Sequence, residues 1–169
     1  MRGGRITAMA TIRAALPAEH AVVGEIAAKA YADTGNLPAD GSYVSELRNA
    51  ADRAVRAELL VALDGDRPVG TVTVVRPGDA YVEIARPGEV EFRMLAVASE
   101  ASGRGVGRQL VEAVLERARG EGFGRVVLCV SETAESPRRL YERMGFRRLP
   151  DRDWRPTDDI RLLGYYLDL

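Results

Sequence analysis

The 169-residue sequence predicts an α+β fold, one mixed sheet covered by helices. Two observations carry this. Apolar, β-branched runs at 58–64 and 69–76 flank the turn "GDRP" and read as a hairpin. Further along, strand-like runs precede and follow each of two stretches of helical periodicity, and no repeat or low-complexity segment interrupts the alternation.

Each element has its own justification. "ATIRAAL" (10–16) reads as a first strand. Pro17 suits the first turn of a helix, although Leu16 is a poor cap. Val22, Val23, Ile26, Ala27, Ala30 and Tyr31 then recur at helical spacing over 18–33. "TGNLPADGS" (34–42) connects to a second helix over 42–55, with Val44, Leu47 and Ala51 on one face. After the hairpin, "PGDAYVEIARPG" (77–88) is a long excursion with proline near both ends, leading into the strand "EVEFRMLAVA" (89–98). The helix over 105–119 carries an apolar stripe of Gly107, Leu110, Val111, Val114, Leu115 and Ala118. "RVVLCVS" (125–131) is a buried strand, and 136–144 a short helix that starts at Ser136–Pro137 and stops at Gly145. "FRRL" and "IRLLGYYLDL" (160–169) complete the sheet.

Composition bounds the function. With 46% hydrophobic residues the chain can bury a sizeable core, expected as a single domain over 10–169 behind a flexible leader at 1–9. A net charge of −1 points to neither nucleic acid nor a membrane surface as partner. Lys29 is the one lysine, which sets aside Schiff-base chemistry and lysine-dependent phosphate loops elsewhere in the chain. A single cysteine, Cys129, allows neither an internal disulfide nor a cysteine-based zinc cluster, so no metal is expected and a reducing cytoplasm fits. Neither a membrane span nor a signal peptide is evident.

The most informative stretch is "VASEASGRGVGRQLVEAVLERA" (97–118), with glycines at 103, 105 and 107 ahead of a helix and Arg104 and Arg108 between and beside them. Alternating glycines let backbone amides turn inward, and a helix N-terminus adds partial positive charge, so the pattern suits a phosphate. Arg108 stands where a dinucleotide fingerprint needs glycine, and the Walker G-K-[ST] is absent.

The ordered set "EFRMLAV", Ser102-Gly103-Arg104-Gly105-Val106-Gly107 and Leu140-Tyr141-Glu142-Arg143-Met144-Gly145-Phe146 resembles the GCN5-related N-acetyltransferase superfamily over residues 58–150. One departure is that Ser102 stands where the family carries Gln or Arg, which weakens one expected phosphate contact while Arg104, Arg108 and the amides remain. The resemblance implies a mostly antiparallel central sheet with helices on both faces and a splayed parallel strand pair. It implies acetyl-CoA as co-substrate, with Gly103, Arg104, Gly105, Val106, Gly107 and Arg108 at the pyrophosphate and Leu95, Ala96 and Val97 along the pantetheine arm. The amide of Leu95 or Val97 would polarise the thioester carbonyl.

The resemblance also implies two catalytic roles. An alkylammonium must lose a proton before it attacks, and Glu91 lies where several family members carry the base. Tyr141 is placed to protonate the departing thiolate. The acceptor would be a small-molecule amine or a protein N-terminal amine, acetylated by direct transfer in a ternary complex. Cys129 reads as a small hydrophobe in a strand and Trp154 as core cover. Tyr81, Glu83 and Arg86, in the excursion before the reactive strand, are candidates to touch the acceptor. A non-catalytic acyl-CoA-binding module remains the alternative, separated from the enzyme only by turnover, and a homodimer stays open.

Overall fold

A computed structural model describes residues 9–34 and 37–169; apart from Met9, the expected leader lies outside the described residues. Eight strands form one sheet. They are β1 (Thr11–Ala14), β2 (Glu58–Asp64), β3 (Arg67–Val75), β4 (Glu89–Val97), β5 (Arg125–Ser131), β6 (Arg147–Arg148), β7 (Trp154–Thr157) and β8 (Ile160–Asp168). Their order is β1-β2-β3-β4-β5-β8-β6, with β7 also paired to β8. Among the described strands β4 and β5 form the parallel pair, and the other neighbours run antiparallel.

The period of two along the central strands divides the core into two layers. On one face Leu60, Ala62, Val72, Val74 and Phe92 pack under α4 (Val106–Gly120), whose buried stripe runs Val106, Leu110, Val111, Val114, Leu115 and Ala118. On the other face Val75, Met94 and Ala96 meet Ala27 and Ala28 of α1 (His20–Asp33), while Leu59, Val61 and Leu63 meet Val23 of α1 and Ala50. Gly24 permits the close approach of α1 to its neighbour, since a Cβ there would sit 2.3 Å from the Arg48 carbonyl oxygen. At the entry to α1, Pro17–Glu19 is a 3-10 turn. Glu19 accepts the Leu16 amide at 2.8 Å and pairs with Arg13, the half of a capping box that needs no polar side chain at Leu16.

The structure departs from the sequence expectation in two elements. The single helix expected over 42–55 is two, α2 (Ser42–Arg48) and α3 (Ala50–Arg56). Asn49 leaves helical geometry between them, and its side chain accepts the Asp52 amide at 3.3 Å as the cap of α3. β7 was not expected, because Pro156 sits within it; proline is tolerated there only because β7 is an outer strand, held by Trp154↔Leu162 and Thr157↔Ile160. The short helix α5 (Glu135–Arg143) and β6 close the fold where the sequence suggested.

Candidate functional site

The site begins where two strands part. β4 pairs with β5 only through Glu89↔Arg125, Val90↔Val126 and Glu91↔Val127. Further along, β4 bulges against β3: Thr73 faces Arg93 and Thr71 faces Ala96, so three residue steps on β4 match two on β3. Met94 takes up the extra residue with φ 55°, a left-handed conformation that costs a methionine on the order of 1 kcal/mol or more. The Ala98 amide bonds the Val69 carbonyl at 2.8 Å on the β3 side. By strand alternation, the amides of Leu95 and Val97 therefore turn to the opposite edge, toward β5. A cleft of about 1040 Å³ opens there, lined on the β4 side by Leu95, Ala96 and Val97 and on the β5 side by Cys129, Val130 and Ser131.

The glycine turn borders the same cleft. Gly103 and Gly105 adopt φ of 78° and 79°, where a side chain would be strained even though each has open space around it. Gly105 is the N-cap of α4, and Gln109 is the first amide to close a bond, onto the Gly105 carbonyl at 3.0 Å. The amides at the start of this 15-residue helix thus have no helical acceptor, and Gly105, Val106, Gly107 and Arg108 line the cleft. Gly107 differs from the other two. It lies inside the helix without positive φ, and a Cβ there would make ordinary contacts with Leu140 at 3.4 Å and Val97 at 3.7 Å. Arg108 lines the cleft, paired with Glu112 at 3.0 Å, whereas Arg104 lies outside the lining and 3.9 Å from Asp64.

Tyr141, on α5, also lines the cleft. It is 5% exposed and packs edge-on against Phe92 and Phe146 at 5.7 and 6.0 Å. Burial drives its phenol well above the ordinary range, so the hydroxyl keeps its proton. Cys129 lines the same space. Burial pushes its thiol up to about 12, and the Trp154 indole, itself partly exposed on β7, lies against it.

The carboxylates sort differently from expectation. Glu91 is fully buried and is not among the residues lining the cleft. Its Oε1 accepts the amides of Glu83, Ile84 and Ala85, each at 3.0 Å, so the 77–88 excursion covers the face on which an acceptor was expected. Of the three candidates in that excursion, only Glu83 lines the cleft. Tyr81 turns its hydroxyl to Asp52, and Arg86 donates its amide to Glu89. Glu83 pairs with Arg93 Nε at 3.0 Å, yet burial pushes its carboxyl up to about 7; Arg93 pulls the other way, and Glu91 and Glu46 add to the rise. Arg93 also donates to the Tyr81 carbonyl and the Tyr43 hydroxyl, each at 3.1 Å, and Tyr43 packs 5.9 Å from Tyr31. Tyr31, Tyr43 and Arg93 thus join the site. Period and polarity mark Tyr31 and Tyr43 only as residues of helical stretches, and Arg93 only as sharing a strand face with Glu91. Among the described residues, no group of three His, Cys, Asp or Glu could hold a metal, and no helix is long and apolar enough to cross a membrane.

This geometry has counterparts. The profile of the acetyltransferase (GNAT) family matches residues 25–146. A mycothiol acetyltransferase from Geodermatophilus obscurus is 37% identical over 124 residues, a match covering 70% of this chain and 39% of that protein's length. A GCN5-related N-acetyltransferase from Kribbella flavida superposes with a TM-score of 0.70 at 24% identity, covering 95% of this chain and 98% of that one. The yncA structure from Salmonella typhimurium, solved with its cofactor acetyl-CoA, superposes at 0.68 with 22% identity over 95% and 94% of the two chains. At these identities the structural likeness speaks for the fold.

Proposed function

The chain belongs to the acetyltransferase (GNAT) family, and from that premise we propose that it moves the acetyl group of acetyl-CoA directly onto a primary amine. The observation that carries the proposal is the parting of β4 from β5 at the Met94 bulge, beside a glycine turn that opens a long helix. That arrangement offers two kinds of anchor to one extended ligand. The helix-start amides at 105–108 and the guanidinium of Arg108 suit a pyrophosphate, and the free edge at Leu95, Ala96 and Val97 suits an amide-bearing arm lying as an extra strand. Arg104, set apart from the cleft, would contribute through long-range charge only.

The chemistry follows from the residues between the anchors. Glu83, with a carboxyl raised to about 7, takes a proton from the bound alkylammonium directly or through water. The freed nitrogen attacks the thioester carbon, and the amide of Leu95 or Val97 receives the charge developing on oxygen. As the carbon–sulfur bond breaks, Tyr141 donates its proton to the thiolate and regains one from the attacking nitrogen, directly or through water, as that nitrogen sheds its second proton to become the amide. Glu83 replaces Glu91 in the role of base because Glu91 is enclosed by three amides and Glu83 faces the cleft. Cys129 stays a protonated thiol, which favours direct transfer over an acetyl-cysteine intermediate. The acceptor is a small-molecule amine or a protein N-terminal amine; the mycothiol acetyltransferase relative, of which the chain spans 39%, is named for a small molecule.

The test is thiol release from acetyl-CoA across a panel of amines comprising tyramine, spermidine, lysine amide and a tetrapeptide with a free N-terminus. Turnover with one or more supports the reading. Tight coenzyme binding with no amine acetylated would return the chain to the role of a binding module.

A further inference from the structure

The residue that best fits the family's expected base by sequence is held where no amine can reach it, and its bonds point to another task. We propose that Glu91 is a positioning residue, whose carboxylate oxygen gathers the amides of residues 83–85 and thereby fixes Glu83 in the cleft opposite Arg93. The inference rests on the acetyltransferase reading and adds how its base is set in place.

Three features carry it. First, three consecutive amides converge on the single Oε1 atom of Glu91, each at 3.0 Å. Three N–H groups from one turn satisfied by a buried carboxylate form a charge-assisted nest, stronger than neutral bonds and restrictive of the backbone that donates them. The first of those amides belongs to Glu83 itself. Second, Glu91 and Arg93 lie two apart on β4 and so on one face, which puts the anchor for the Glu83 backbone and the partner for its side chain on the same rigid strand. Backbone and side chain of Glu83 are thus fixed by neighbours 91 and 93. Third, the two ends of the turn are tied elsewhere. Arg86 donates its amide to Glu89 at 2.8 Å, Arg152 pairs with Glu89, and the Arg76 amide bonds Asp79 at 2.8 Å, while in the middle Arg152 adds one bond to the Ile84 carbonyl at 3.2 Å. With its ends held independently, the excursion would stay attached without Glu91. What Glu91 adds is the placement of its middle, where Glu83 sits.

Glu91 also acts on Glu83 through charge. The groups facing Glu83 are Arg93 and Glu91 from β4, Glu46 and Tyr43 from α2, Tyr31 from α1 and Cys129 from β5. Of these, Glu91 and Glu46 raise its proton affinity and Arg93 lowers it.

Two substitutions in the full-length protein separate positioning from proton transfer. Glu91→Gln keeps an oxygen able to accept all three amides but loses the charge; Glu91→Ala loses both. Hydrogen exchange of 80–88 needs no acceptor. Amides 83–85 should exchange at least ~10-fold faster in Glu91→Ala and stay within about 3-fold of wild type in Glu91→Gln. In turnover with whichever panel amine the wild type acetylates, Glu91→Ala should lose up to roughly 10²-fold in kcat through misplacement. Glu91→Gln should recover most of it, with the acid limb of its pH profile moved to lower pH because a like charge near Glu83 is gone. Coenzyme affinity should be unchanged in both. If Glu91→Gln is as inactive as Glu83→Gln while amides 83–85 stay protected, Glu91 is the base and the proposal is overturned. Unchanged protection in Glu91→Ala overturns it as well. Failure of the wild type to bind coenzyme would count against the acetyltransferase reading instead, a result the exchange experiment does not share.

Discussion

Glu83→Gln isolates the group proposed as the base. The wild-type carboxyl is raised from 4.5 to about 7 by burial, with only partial relief from Arg93 at 3.0 Å. In kcat/KM, which reports the free enzyme, activity should rise with pH through a break near 7 and fall about tenfold per pH unit below it. The glutamine keeps size and hydrogen-bonding shape but cannot take a proton. Its kcat should drop by roughly 10²- to 10⁴-fold, and the break should vanish. The same rise predicts a stability effect. The folded chain holds this proton more tightly than the unfolded chain, so the contribution is most favourable below 4.5 and is lost as pH climbs to about 7. The loss is about 3 kcal/mol at full ionisation. Urea unfolding at pH 4.5 and pH 8 should therefore show a larger decline in the wild type than in Glu83→Gln. A variant that retains the break near 7, or a wild-type break close to the ordinary carboxylate value, would refute the assignment of Glu83.

Other outcomes follow from the same geometry. Gly105→Val forces a β-branched residue to φ 79° in the glycine turn, so calorimetric titration should show coenzyme affinity down at least ~10-fold. Gly107→Ala meets Leu140 at 3.4 Å and Val97 at 3.7 Å, ordinary contacts in helical backbone, and should lose far less. Arg108→Ala should weaken coenzyme binding in a salt-sensitive way, and Arg104→Ala, paired at distance to Asp64 outside the cleft, should do so less. Tyr141→Phe preserves the ring contacts with Phe92 and Phe146 and removes the hydroxyl, so melting temperature should hold while kcat falls roughly 10²-fold, read by single-turnover quench so that product release does not mask it.

Much of the fold was legible because its signals are local. "RVVLCVS" is read as 125–131 and forms β5 over the same residues, since a buried strand between two layers needs a continuous apolar run. The stripe of α4 was visible from its period alone. What stayed hidden depends on partners distant in the chain. "WRPT" carries no strand signal of its own and becomes β7 only because β8 presents a free edge. The bulge at Met94 leaves no mark, because methionine has no preference for positive φ and the register of β3 imposes it. Glu91 and Glu83 show the same limit at the site. Both are ordinary glutamates in sequence. Which one faces the cleft is decided by how residues 77–88 fold back over β4, a contact between segments that no periodicity within either one reveals.

The central claim is direct acetyl transfer in a ternary complex. Its most direct measurement follows both products at once, the coenzyme thiol and the N-acetylated amine, beside intact-protein mass spectrometry of enzyme mixed with acetyl-CoA alone. Thiol and acetylated amine should appear in equal amounts, only when both substrates are present, with no acetyl group on the protein. Rapid acetylation of Cys129 before any amine is added, with that acetyl group passing on to the amine, would contradict it.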